Sequence, residues 1–285
     1  MRLSHRESFI NSRKVTVIRM NEKALSAEQI LRFIKERPTS VAPSIRIYDT
    51  LDSTNTLLKS EAERGAAHGN VVIARKQTSG RGRMGRSFFS PDGTGIYMSI
   101  LVRPELCADE SLFITTLTAL ATARALDSAG CGGAEIKWVN DIFVGGKKAA
   151  GILVEGALDE SAKKLKYAVV GIGINLYSPE SGFPSELSSI ACGAFDGKRK
   201  SIDQNRLAAD IICEFFSLYD ALPCHAFMDE YRSRSCLIGK EVSVSVGDES
   251  FNGTAVDIDE SARLIVRLPS GEIRVLGSGE ARARI

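Results

Sequence analysis

Residues 135–155 read Glu135-Ile-Lys-Trp-Val-Asn-Asp-Ile-Phe-Val-Gly-Gly-Lys-Lys-Ala-Ala-Gly-Ile-Leu-Val-Glu155. Three strand-like runs, 136–139, 142–144 and 152–154, are separated only by Asn140-Asp141 and by the seven residues Gly145-Gly-Lys-Lys-Ala-Ala-Gly151. A parallel crossover needs a dozen or more residues, so these runs must join as hairpins. The sheet they enter is therefore largely antiparallel or mixed.

Working outward, further strands fall at 45–48, 71–74, 95–102 and 167–176, the last strongly apolar. Helices interleave with them. Residues 24–37 carry a capping signal in Ser26 and Gln29, with Ile30, Phe33 and Ile34 on one face. Residues 52–64 start at Ser53 or Thr54 and stop at Gly65; 112–129 and 203–219 complete the set. After about residue 234 the texture changes to four or five short strands split by Gly-Asp, Asp-Glu and Ser-Gly turns, the pattern of a small barrel. The expected fold is α+β: an amino-terminal extension with one helix (1–43), a central mixed sheet flanked by helices (44–233) and a carboxy-terminal barrel (234–285).

Composition agrees. In 285 residues, 44% hydrophobic and 25% charged residues suffice for a sizeable core and exclude extensive disorder. No apolar run is long enough to cross a bilayer, so no membrane association is expected. Lys+Arg 37 against Asp+Glu 35 does not point to a dedicated polyanion binder, so any basic patch must be local. The six cysteines form no C-x-x-C pair and lie near no histidine cluster, which fits a reduced, cytoplasmic protein better than a disulfide scaffold or a zinc site. Met20 is an alternative start to Met1.

Chemistry concentrates first in residues 77–91, Gln-Thr-Ser-Gly-Arg-Gly-Arg-Met-Gly-Arg-Ser-Phe-Phe-Ser-Pro. Glycines at 80, 82 and 85 allow close backbone approach; arginines at 81, 83 and 86 match carboxylate and phosphate oxygens. The run formally contains G-x-G-x-x-G, but the dinucleotide fingerprint must open a helix and Phe88-Phe-Ser-Pro-Asp-Gly breaks one. A flexible basic surface loop and a single-stranded RNA contact are the competing readings. Elsewhere the bland readings are strong: Asn140-Asp141 as a turn, Lys147 and Lys148 as solvated charges, Ser53 and Thr54 as helix caps, Asn175 as a strand-end cap.

Together, Asp52-Ser-Thr-Asn55, the 80–86 loop with Ser90-Pro91, Lys137-Trp-Val-Asn-Asp141, Lys148-Ala-Ala-Gly-Ile-Leu-Val-Glu155 and Gly171-Ile-Gly-Ile-Asn175 resemble the biotin–protein ligase family from about residue 45 to the end. Ser278-Gly-Glu280 resembles the family's small barrel. The resemblance implies a sheet like that of class II aminoacyl-tRNA synthetases and an SH3-like barrel. It implies an ATP-dependent, Mg²⁺-assisted reaction: biotin and ATP give biotinyl-5′-adenylate, and biotin passes to a lysine of a carboxylase's biotin carboxyl carrier domain.

The implied roles follow position by position. Lys148 and Arg83 are the expected catalytic residues, with Lys148 gripping the biotin carboxylate and α-phosphate. Ser53, Thr54, Gln77, Gly80, Arg81 and Gly151 are expected at biotin. Arg83, Arg86, Phe88, Asn140 and Asn175 are expected at ATP or adenylate, and Asp141 and Asn175 at Mg²⁺. Two positions depart from the family. Phe88 stands where Trp is common, so weaker adenine stacking is expected. Val139 stands where Pro is common. The chain shows no winged helix, so no DNA binding is expected; a homodimer is compatible with the resemblance. A lipoate- or octanoyl-protein ligase is the alternative enzyme.

Overall fold

The computed structural model describes residues 25–37, 39–107, 110–159, 161–197 and 202–283. Both candidate start methionines, and most of the expected 1–43 extension, lie outside the described residues.

A seven-stranded sheet dominates, in the order β1-β2-β3-β7-β6-β5-β4. Its strands are β1 (Ser44–Leu51), β2 (Asn70–Gln77), β3 (Gly95–Val102), β4 (Glu135–Lys137), β5 (Asp141–Val144), β6 (Lys147–Asp159) and β7 (Lys164–Asn175). β1 and β2 run parallel, and the other neighbours are antiparallel. The hairpins expected from 135–155 are therefore present, and the sheet is mixed. The Trp138–Val139 peptide, in the turn of the first of them, is cis.

Residue alternation sends the side chains of β6 and β7 to two unlike faces. One face carries Ile152, Val154, Val170, Ile172 and Ile174 into the main core, against α3 (Ser111–Ser128). Every residue of α3 from Leu117 to Ala123 is buried, because α4 (Gln204–Asp220) and then α1 (Ala27–Glu36) stack outside it. The other face is covered by a single helix, α2 (Thr54–Glu63), over Val72, Leu101, Tyr167 and Val169. The rest of that face is left to the 77–91 loop.

The capping signal of α1 holds with one correction. Ser26 Oγ accepts from the Gln29 amide, but the Ser26 amide donates to Asn205 Oδ1, and Asn205 in turn donates to Gln29 Oε1. The box is closed through a side chain of α4.

α5 (Met228–Ser233), which the sequence reading did not include, leads into the SH3-like barrel. Its strands β8 (Glu241–Val246), β9 (Glu249–Ile258), β10 (Leu264–Arg267), β11 (Ile273–Leu276) and β12 (Glu280–Ala283) are all antiparallel, in the order β11-β10-β9-β8-β12. The barrel is docked by hydrogen bonds from Trp138 Nε1 to Ala262 O and from Arg232 Nε to Ile258 O, at 2.9 and 2.7 Å. No described helix is long and apolar enough to cross a membrane.

Candidate active site

The open part of the sheet face is a cleft between α2, β6, β7 and the 77–91 loop. Its floor exists because Gly151, Gly171 and Gly173 lack side chains on adjacent strands. A methyl at Gly171 would stand 2.3 Å from Asn55 Oδ1, and one at Gly173 2.7 Å from the Phe88 ring. The roof is the loop, and it is an ordered hairpin. Phe88 N donates to Gly80 O and Gly82 N to Arg86 O, and Arg81 pairs with Ser87. At the tip, Met84 and Gly85 take left-handed backbone angles, φ 56° and 72°. Gly80 must be glycine, since a Cβ would meet Phe88 O at 2.3 Å.

Lys148 reaches the cleft through a β-bulge. Ile142 pairs with Ala150 but Phe143 pairs with Lys148, so Ala149 is an extra residue in β6. Strict alternation would send Lys148 toward the core with Ala150 and Ile152. The bulge swaps its face, as bulges do when they re-aim a side chain. Lys148 Nζ consequently stands 2.7 Å from Asp141 Oδ1, and its chain lies across Gly151. Its backbone is gripped on the other side, where Lys148 N donates to Ile190 O and Cys192 N to Lys148 O.

Asn140 and Asp141 are more than a turn. Asn140 Nδ2 donates to Asp141 Oδ1 and to Ile152 O, while Asn140 Oδ1 accepts from Arg83 Nη1 at 2.8 Å. A continuous polar chain, Arg83–Asn140–Asp141–Lys148, thus joins the roof to the floor. Beyond it, burial pushes the Lys137 ammonium below its usual range against the pull of Asp141 and Glu280.

The opposite end is lined by α2. Ser53 caps the helix, with Oγ accepting from Thr56 N, and still lines the cleft. Thr54 donates through both its amide and its hydroxyl to Gln77 Oε1, and Gln77 Nε2 donates to Ser90 Oγ. So capping and cleft-lining coexist at Ser53 and Thr54.

Of the expected site residues, Ser53, Thr54, Gln77, Arg81, Arg83, Phe88, Asn140, Lys148 and Gly151 line this one cleft. Gly80, Arg86, Asp141 and Asn175 do not. Asp141 sits at its edge through Lys148. Asn175 ends β7 on the floor's face, opposite Gly95 and beyond Phe88. Arg86 departs most from expectation: it turns to the barrel and forms a two-pronged ion pair with Glu280, at 2.9 and 2.7 Å. That pair, against partial burial, holds the Glu280 carboxyl down at about 2. Arg83 Nη2 also donates to Gly279 O.

Sequence reasoning missed Ser99, and it gave no role to Asn55, Gly171 and Gly173 although the motifs that contain them were singled out. Their signals were present: Ser99 is the one aliphatic hydroxyl inside the wholly buried run of β3, and the two glycines interrupt the apolar run of β7.

Family models match two stretches, the biotin/lipoate A/B protein ligase family at residues 47–175 and the biotin protein ligase C-terminal domain at 237–281. The bifunctional ligase/repressor BirA of Bacillus subtilis is 32% identical over 227 residues, covering 79% of this chain and 69% of the relative. A biotin–[acetyl-CoA-carboxylase] ligase of Mycobacterium tuberculosis is 32% identical over 242 residues, covering 80% and 84%. Among solved structures, the biotin protein ligase from Aquifex aeolicus in complex with biotin and ATP superposes with a TM-score of 0.71 at 25% identity, covering 85% of this chain and 98% of that one.

Proposed function

This chain belongs to the biotin protein ligase family, and from that premise we propose that its cleft makes biotinyl-5′-adenylate and passes the biotinyl group to a lysine of a carboxylase carrier domain. In the first step a biotin carboxylate oxygen attacks the α-phosphorus of ATP, forming the mixed anhydride and expelling pyrophosphate. In the second, the neutral amine of the acceptor lysine attacks the anhydride carbonyl; AMP departs with the bonding electrons and the nitrogen loses a proton.

The observation that carries this reading is the polar chain from Arg83 to Lys148 above a floor of glycines. Two anions must meet in the first step, and fixed cations offset their repulsion where charge develops. Lys148 supplies an ammonium on the floor and Arg83 a guanidinium on the roof, both oriented in advance by Asp141 and Asn140. Ser53, Thr54 and Gln77 offer neutral donors and acceptors suited to the urea of biotin, and Gly151 and Gly173 admit a flat ring against the strands. Phe88 lies over Gly173, with its edge toward Tyr97, where it can flank adenine. The hairpin roof excludes water from an anhydride that water would destroy.

The donor set also fits Mg²⁺ of the kind that arrives with nucleotide. No cluster of three or more His, Cys, Asp or Glu able to hold a metal occurs among the described residues. Mg²⁺ commonly uses one or two carboxylates plus phosphate oxygens and water. Asp141 would be that carboxylate, with Asn175 a neutral oxygen on the same face. The ion, when bound, neutralises phosphate charge.

The test is incubation with labelled biotin, ATP, Mg²⁺ and a purified carrier domain, reading pyrophosphate release and covalent transfer. Biotin-dependent release followed by labelling of one carrier lysine is expected. Release with lipoate and none with biotin would replace the reading by lipoyl ligation.

A further inference from the structure

Resting on the ligase reading, we propose that Glu155 is a positioning residue: fixed on β6 by α2, its carboxylate holds Arg81 and so keeps the hairpin roof shut over the adenylate.

Glu155 faces the cleft side of the sheet, in line with Gly151 and Leu153. Its side chain is 15% exposed and both oxygens are engaged. Oε1 receives Lys59 Nζ at 3.0 Å and Arg81 Nη2 at 2.9 Å; Oε2 receives Asn55 Nδ2 at 3.0 Å. Burial alone would raise this carboxyl, yet Asn55, Lys59 and Arg81 outweigh it and hold it below the usual range. It is therefore an anion at neutral pH.

The partners divide into fixed and movable. Lys59 and Asn55 belong to α2, and Asn55 is 3% exposed, with Nδ2 also on Leu153 O and Oδ1 accepting from Ser99 Oγ. That half of the cluster is built into the fold. Arg81 alone comes from the hairpin, and its guanidinium is 45% exposed. Two cations share one carboxylate, and Lys59 is the one that cannot leave without α2. Glu155 is thus a post to which one arm of the roof is tied.

The other arm is tied to the same network. Phe88 O accepts from Ser90 Oγ, Ser90 from Gln77, and Gln77 from Thr54; Thr54 and Asn55 both meet Ser99. Asn55 then donates to Glu155. A circuit of hydrogen bonds, closed by the Glu155–Arg81 ion pair, therefore starts at one arm of the hairpin, runs under the cleft through three of its lining residues, and returns to the other arm at Arg81. A ligand polar group seated on Thr54 and Gln77 touches the middle of this circuit, so occupancy and closure are coupled. Removing the Glu155 charge leaves Lys59 and Arg81 repelling each other and frees one arm.

The experiment compares wild type, Glu155→Gln, Arg81→Gln and the double variant. Enzyme loaded with labelled biotin and ATP is chased with unlabelled biotin. Release of intact adenylate and labelling of a bystander protein are followed, with the pyrophosphate burst counting competent sites. Glu155→Gln should keep a burst yet release adenylate roughly two- to fivefold faster, since the half-exposed ion pair that ties Arg81 is lost. Arg81→Gln, whose burst is expected to fall because the residue also lines the cleft, should release adenylate equally fast per burst-competent site; the double variant should be no faster than either single, and Glu155→Asp should recover part of the retention. Wild-type release from Glu155→Gln, or single effects that multiply in the double, would overturn the proposal. Should Glu155→Gln melt far below wild type, Arg81→Gln decides: its side chain is half exposed, so retention unchanged there also overturns it. Absence of any burst in wild type would instead refute ligase activity itself.

Discussion

The two faces of β6 and β7 are made by the same residues counted alternately, yet they do opposite work. Ile152, Val154, Val170, Ile172 and Ile174 fill one side to core density against α3. On the other, Gly151 and Gly173 leave room that α2 does not cover, and Gly171 makes way for Asn55 of α2. Stability is built by adding atoms to one face and binding by withholding them from the other. Substitutions on the two faces should therefore separate cleanly.

The largest effect is expected at Lys148→Ala, which removes the floor ammonium. Adenylate formation should fall by about 10²–10³-fold, as when one preorganised transition-state donor is lost. Pre-steady-state pyrophosphate release measures it, with an unchanged melting temperature as control. Next comes Gly171→Val, whose Cβ would press on Asn55. Overpacking of about 1–3 kcal/mol should weaken biotin binding by roughly 10–100-fold in calorimetric titration. Arg83→Gly should release adenylate roughly tenfold faster through loss of a charged hydrogen bond to Asn140, seen as indiscriminate lysine labelling.

On the packed face the sign reverses. Ile174→Val should cost about 0.5–1.5 kcal/mol in denaturant unfolding and leave biotin affinity of the folded protein unchanged. Weakened binding there would show that the faces are not independent. The smallest effect concerns Glu280. Arg86 holds its carboxyl far below the ordinary value of 4.5, at about 2. The stabilisation is thus complete above the ordinary value and is lost as pH falls toward 2. Glu280→Gln should flatten that part of the melting-temperature profile by a few degrees at most, since a partly exposed pair contributes little.

Much of the architecture was legible. Hairpin spacing in 135–155 forced a mixed sheet, and caps with stop glycines placed α2 and α3 to within a residue or two. The cleft was legible only in pieces. Arg83, Asn140 and Lys148 could be named by motif, but their mutual contacts depend on how distant strands align. Asn55, Ser99 and Glu155 lie far apart in the chain and meet only because β3, β6 and β7 place them beside α2. Arg86 could not be assigned from its neighbours, since its partner belongs to another domain. The closure of the α1 cap through Asn205 is the same lesson on a smaller scale: local signals name a need, and tertiary structure decides who meets it.

Ala149 makes no polar contact of note and would pass any side-chain survey as filler, yet it is the residue that sets odd against even between Gly146 and Gly151. The orientation of the ammonium is consequently protected by chain length rather than by chemistry. Point substitutions at 149 are tolerable in principle if small, whereas losing or gaining a single residue in that interval inverts which side of the sheet receives the charge. In a lineage of such chains, gaps in this short interval should be rarer than changes of residue type.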